Sequence, residues 1–232
     1  MKFVLNLFLF FIMFNGFSQE SKSLSPIIAV DSLYREDQFY LGFTYNSLLN
    51  KPDAISQNKF SSGIELGFLR DMPINKSRTF AIAAGLGFSY DRCFHDLLIT
   101  KTDQLISYST LGSVNNTSKN RQDQYFVDVP LEFRWRTSKP ESHEFWRIYA
   151  GIKLSYLIHD KYSHTDNDSN YHISGNSDLN QLQFRTYMAF GYNTWNFYVN
   201  YGLTPFFKSS AKINGEALGM RTINLGLMFY IL

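Results

Sequence analysis

Eight segments of the chain, each about ten residues long, alternate large apolar side chains with small or polar ones at a period of two. The clearest begins at Tyr125. Tyr125, Val127, Val129, Leu131, Phe133 and Trp135 share one face, and Asp128, Glu132, Arg134 and Arg136 share the other, with Pro130 among them. A period of 3.6 would drive those charges into the apolar stripe, so the segment is a strand and not a helix. The next segment sets Trp146, Ile148, Ala150, Ile152, Leu154 and Tyr156 against Arg147, Tyr149, Gly151, Lys153 and Ser155. Six more begin near Gln38, Ser61, Phe80, Gln181, Trp195 and Thr222 and alternate in the same way. Residues 186–207 carry no charge, but they alternate too, and Asn193 with Thr194 reads as a tight hairpin turn between two strands.

Alternation does not by itself say which face is inside. A soluble barrel or sandwich would turn the apolar face inward; a membrane barrel turns it outward. Three features favour lipid. Aromatic residues gather at strand ends (Tyr90, Tyr125, Trp135, Trp146, Tyr192, Trp195), as they do at the two water–lipid interfaces, and they make up 17% of the chain. Small residues (Ala81, Ala83, Gly85, Gly87) lie on the opposite face, and the chain ends on a strand, although its last lipid-facing residue in this phase is the non-aromatic Ile231. The connections alternate in length: 50–60, 91–123, 158–180 and 205–219 are long, and 71–78, 138–144 and 193–194 are short. Long outer loops and short periplasmic turns predict an all-β fold, a transmembrane antiparallel up-and-down β-barrel of eight strands with both ends periplasmic.

The start of the chain predicts export. Lys2, an apolar run over 3–14 interrupted only by Asn6, and Gly16 and Ser18 at small-x-small spacing describe a secretory signal peptide cleaved after Ser18. The expected organisation is a signal peptide at 1–18, a short periplasmic lead at 19–37 and an outer-membrane barrel at 38–232. A single cysteine, Cys93, excludes an internal disulfide. A formal net charge of +2 gives no reason to expect a nucleic-acid partner.

An eight-stranded lumen is just wide enough for side chains to fill it. The inward face therefore predicts an interior polar network of Glu65, Asp128, Glu132, Arg134, Arg136, Arg147, Lys153 and Arg185, three acids against five bases, and no wide channel. The excess of bases leaves an anion-selective pore as the competing reading. No catalytic residue, cofactor or metal is expected. His159, His164 and His172 share a stretch with Asp160, Asp166, Asp168 and Asp178, but their spacing follows no metal-ligand pattern. The run from Asp166 to Asn170 begins like a calcium loop, yet Tyr171 stands where the sixth-position glycine is needed and Ser177 where the twelfth-position glutamate is needed. His95 beside Asp96 has no nucleophile motif to serve, and Cys93 reads as a small residue near a strand end.

The stretch Val-Pro-Leu-Glu-Phe-Arg-Trp-Arg at 129–136, flanked by Asp128 and Thr137 and followed by Phe-Trp-Arg-Ile-Tyr-Ala-Gly at 145–151, resembles the PorT family of outer-membrane barrels. Tyr-Leu-Gly-Phe-Thr-Tyr at 40–45, Gly-Phe-Leu-Arg-Asp-Met-Pro-Ile-Asn at 67–75 and Thr-Trp-Asn-Phe at 194–197 agree with it, and the signal peptide looks like those of Bacteroidota. The resemblance spans nearly the whole mature chain, the outer loops least. It implies a non-enzymatic accessory or assembly component of type IX protein secretion. Outer-membrane lipid and other secretion proteins are then the partners, and no small-molecule substrate is expected. The alternative is a structural or surface-binding barrel with no secretion role.

Overall fold

The computed structural model describes residues 36–57, 59–103, 105–111, 118–137 and 145–231; the predicted signal peptide and most of the lead lie outside them. Thirteen strands follow in order: β1 (Glu36–Leu49), β2 (Ser62–Pro73), β3 (Phe80–Phe94), β4 (Leu97–Thr102), β5 (Leu105–Thr110), β6 (Lys119–Arg136), β7 (Trp146–Thr165), β8 (Asn170–Ser174), β9 (Leu182–Tyr192), β10 (Trp195–Gly202), β11 (Lys212–Ile213), β12 (Glu216–Ala217) and β13 (Arg221–Ile231). Eight of them form the barrel wall in the order β1-β2-β3-β6-β7-β9-β10-β13. The first and last strands close it, with Phe39 opposite Ile231 and Leu49 opposite Arg221. Every wall pairing is antiparallel. The β9–β10 hairpin turns on Asn193 and Thr194, with Asn193 at a φ of 52°.

The phase is the one a membrane requires. Phe39, Leu66, Leu86, Val129, Leu131, Phe133, Ile152, Phe184, Phe197 (72% exposed) and Leu225 stand outside, while most of their neighbours in the same strands are buried. A water-soluble barrel would not leave so broad an apolar band uncovered. On β6 the aromatic residues Tyr125 and Trp135 bound this band. Ten residues of strand cover about 33 Å, or about 25 Å along the membrane normal at the usual tilt, which matches the apolar height of an outer-membrane barrel.

The structure corrects the reading of the long connections. Residues 91–123 and 158–180 are not simple loops. β3, β6 and β7 run on past the aromatic row, β7 reaching 20 residues, and β8 adds to the outer end of β7. A bulge shifts the register of β6 against β7 at Tyr125/Phe126. Beyond it the polarity inverts: Arg121, Lys161 and His159 lie on the outer face, while Phe126, Leu157 and Tyr162 turn inward. The β4–β5 hairpin then packs on the inner face of this projecting sheet. The Ile99 amide donates to the Tyr162 hydroxyl (3.2 Å), and the Tyr171 hydroxyl donates to the Ile99 carbonyl (3.0 Å).

A lipid-facing Leu131, half-way along the apolar band, makes Leu131→Arg cost about 2–4 kcal/mol. Urea titration of the barrel refolded in lipid bilayers measures it. A loss below about 0.5 kcal/mol would place Leu131 away from the hydrocarbon.

Candidate functional site: the filled lumen and its outer cap

All eight residues predicted for the interior network are buried in the lumen, from Asp128 and Arg134 at 0% exposure to Arg147 at 6%. The structure adds two acids, Asp71 and Asp91, near the ends of β2 and β3. Among the described residues the interior therefore holds five carboxylates (Glu65, Asp71, Asp91, Asp128, Glu132) against five bases (Arg134, Arg136, Arg147, Lys153, Arg185). The base excess that suggested an anion pore is removed. Both added acids fall in segments that read in the sequence as a turn and a loop.

The charges form three groups along the barrel axis. At the periplasmic end Arg134 is the hub. Its Nη1 donates to Asp71 Oδ1 at 2.7 Å and to Gln38 Oε1 at 2.9 Å, and its Nε donates to Glu132 Oε2 at 2.7 Å. Arg136 takes the other Asp71 oxygen at 2.8 Å and donates through Nε to the Arg78 carbonyl. Tyr187 and Tyr230 donate to the free oxygen of Glu132 at 3.0 and 3.4 Å. Arg134 also stacks 4.6 Å from the Tyr149 ring, and Arg147 lies 4.7 Å from the ring of Phe145. A planar fork that meets three acceptors and an aromatic face is a task for arginine and not for lysine.

In the middle, Lys153 donates to Glu65 at 2.7 Å and lies 3.7 Å from Asp128. Tyr198 and Asn200 complete the shell of Glu65 at 3.0 and 3.2 Å. Tyr40 fills the remaining width, and a side chain at Gly87 would collide with its hydroxyl. At the outer end Arg185 donates to Asp91 at 2.8 Å, Asn46 and Asn224 donate to the other Asp91 oxygen at 3.0 and 3.2 Å, and Arg185 lies 4.3 Å from the ring of Phe126.

Phe126 joins the lumen to a second, apolar core outside the membrane. Leu48, Ile55, Cys93, Leu97, Ile99, Leu157, Tyr162, Ile173, Leu179, Phe206, Phe207, Ala211, Ile213, Leu218 and Met220 pack with it. The outer connections thus fold into a cap, and residues 105–110 belong to it, since Ile106 and Tyr108 rest on this core. Cys93 is one of its small members. His95 is buried in the cap against Tyr162, and burial pushes its imidazolium down to about 4.

The other histidines do not converge. His164 turns inward and is 3.0 Å from both Asn120 Oδ1 and Asp166 Oδ2, whereas His159 and His172 face outward. Among the described residues no group of three potential metal ligands comes together.

Residues 17–208 match the family described as outer membrane protein beta-barrel domain. The chain belongs to that family. Family membership and the outward apolar band together make this an outer-membrane β-barrel protein. Two solved structures of Ail, the attachment invasion locus protein of Yersinia pestis, align with this outer-membrane barrel at TM-scores of 0.39 and 0.37 and identities of 13% and 12%. Each alignment covers 84% of this chain and 97% of Ail, and the second structure is a complex with the heparin analogue sucrose octasulfate. No curated protein matches the sequence.

Removing one member of a buried ionic group strands its partners. Arg134→Met should therefore cost about 3–5 kcal/mol, and Arg134→Lys should recover little of it because one ammonium cannot reach Gln38, Asp71 and Glu132 together. Urea titration of the refolded variants reads both. A loss under about 1 kcal/mol for Arg134→Met would mean that the lumen is open to water.

Proposed function

We infer that this is a closed, non-enzymatic outer-membrane barrel that works by contacts made outside its lumen, as an accessory or assembly component of type IX protein secretion. The observation that carries the closed-barrel part is the filled lumen beneath an apolar cap: its five acids pair with Arg134, Arg136, Lys153 and Arg185, and its fifth base, Arg147, packs against aromatic rings. Neither a solute nor a polypeptide has a path through such an interior, so any transport role must be indirect.

The secretion part is supported by the resemblance of residues 128–137 and 145–151 to the PorT family. That first stretch is also the part of β6 that supplies Asp128, Glu132, Arg134 and Arg136 to the network, so the resemblance is carried by the wall and the lumen and not by the cap. On this reading the chain reaches the outer membrane by way of a cleaved signal peptide at 1–18 and meets other secretion proteins through its cap or its periplasmic side. The second reading, a surface-binding barrel with no secretion role, is favoured by the cap itself. A connection needed only to join strands has no need of a core of its own.

Purified protein in planar bilayers should give no stable conductance; reproducible channel events would refute the closed barrel. Deleting the gene and assaying secreted proteases and surface motility separates the two readings. Loss of both supports the secretion component, and normal secretion leaves the surface-binding barrel.

A further inference from the structure

The projecting outer sheet of β3, β6, β7 and β8 has two faces, and only the inner one is explained by the cap. On the outer face the register builds successive rows. The first is aromatic: Tyr90, Tyr125 and His159 lie side by side, with ring centroids 4.8 and 5.6 Å apart. Below it the same face is apolar, with Phe88, Val127 and Tyr156 paired across the three strands. The next row outward is Arg92, Asp123 and Lys161, the one after is Phe94, Arg121, Ser163 and His172, and Lys119 with Thr165 follows. Four cations thus share this face with the single acid Asp123. Arg92 and Arg121 donate to its two oxygens through Nε at 3.0 and 2.9 Å, and Tyr90 donates at 2.6 Å. Asp123 orients the two guanidinium groups on the wall but neutralises only one of the four charges.

Height gives this patch its meaning. The aromatic row marks the upper edge of the hydrocarbon. One row outward, two residues of tilted strand, is about 5 Å along the membrane normal, and two rows is about 10 Å. The first of these rows lies in the headgroup layer, about 5–7 Å thick on each side, and the second stands at its outer margin. The opposite side of the barrel is different at this height. It presents Tyr45 packed on Phe60, and Leu203, whose carbonyl takes up Arg221. The basic surface of β3, β6 and β7 continues the lipid-facing wall without a break.

We propose that the outer face formed by Arg92, Arg121 and Lys161 binds the phosphorylated headgroup of an outer-leaflet glycolipid, whose acyl chains lie against Phe88, Val127 and Tyr156. Charge complementarity selects an anionic group, and continuity with the apolar wall selects one that carries acyl chains over a soluble anion. The lipid fixes the rotational setting of the barrel in the leaflet and supports the projecting sheet from outside while the cap core supports it from within.

The test uses the full-length protein in detergent micelles, titrated with fluorescently labelled lipid A. Each phosphate-facing cation contributes about a fivefold change in affinity, so Lys161→Ala should weaken binding about fivefold and Arg121→Ala/Lys161→Ala about 25-fold. Lys212→Ala, in the short β11–β12 hairpin, should leave it unchanged. Dephosphorylated lipid A should bind weakly, and added salt should weaken the phosphorylated form. Heat-modifiable migration checks folding; Lys161 has no ion pair among the described residues, so the single variant keeps the test usable if the double variant fails to fold. Unchanged affinity in the Lys161 variant, or equal affinity for the dephosphorylated lipid, overturns the proposal. Inorganic phosphate alone competing at the same concentrations as lipid A would make the ligand a soluble anion and overturn it as well.

Discussion

Hydrocarbon offers no hydrogen-bond partner to a peptide group, and every other feature of this molecule follows from that deficit. A spanning sheet must close, so β1 pairs with β13 and no edge is left in the membrane. Closure divides each strand into a face toward lipid and a face toward the lumen. Eight strands give a lumen of side-chain width. The inward face must then fill that volume and compensate most of the charge that it brings in. Tyrosines supply volume, glycines make room for them, and acids and bases supply one another's partners. Arg134 shows how tightly these demands are coupled, since one guanidinium serves β1, β2 and β6 at once.

The same strands obey the opposite rule once they leave the membrane. Along β6, Val127, Val129 and Leu131 face outward below Tyr125, and Asp123, Arg121 and Lys119 face outward above it. The inward face changes from the charged Asp128, Glu132 and Arg134 to Phe126 and the uncharged amides Gln124, Gln122 and Asn120. Solvent outside the strand changes from hydrocarbon to water, so the outer face turns from apolar to polar and the inner face gives up its charges while the pleat continues. The outcome is a barrel with two interiors stacked end to end, one ionic and one apolar, with Phe126 between them.

This reversal also explains what could be read from the sequence. The wall was legible because eight segments keep one phase and one polarity across the membrane, and the eight lumen charges were legible because they sit on the polar face of those segments. The cap was not. Beyond the aromatic row, a strand such as residues 159–165 shows His159 and Lys161 outward and Tyr162 inward, which looks like polar loop sequence when the membrane polarity is expected. Its core is also assembled from residues as far apart as Leu48 and Met220, a grouping that no local pattern signals. Asp71 and Asp91 were lost for a related reason: each lies where a strand continues past the point at which its apolar signal fades.

The central claim is the orientation of the two faces, and oxygen accessibility measured by spin labels reads it most directly. Nitroxides placed singly at Val127, Val129, Leu131 and Phe133, and at the lumen positions Ser89 and Ser155, are examined in the barrel reconstituted into bilayers. Oxygen concentrates in hydrocarbon, so the account predicts high collision rates at the first four positions and low rates at the two serines. High accessibility at Ser89 and Ser155 together with protection at Leu131 would reverse the faces and contradict it.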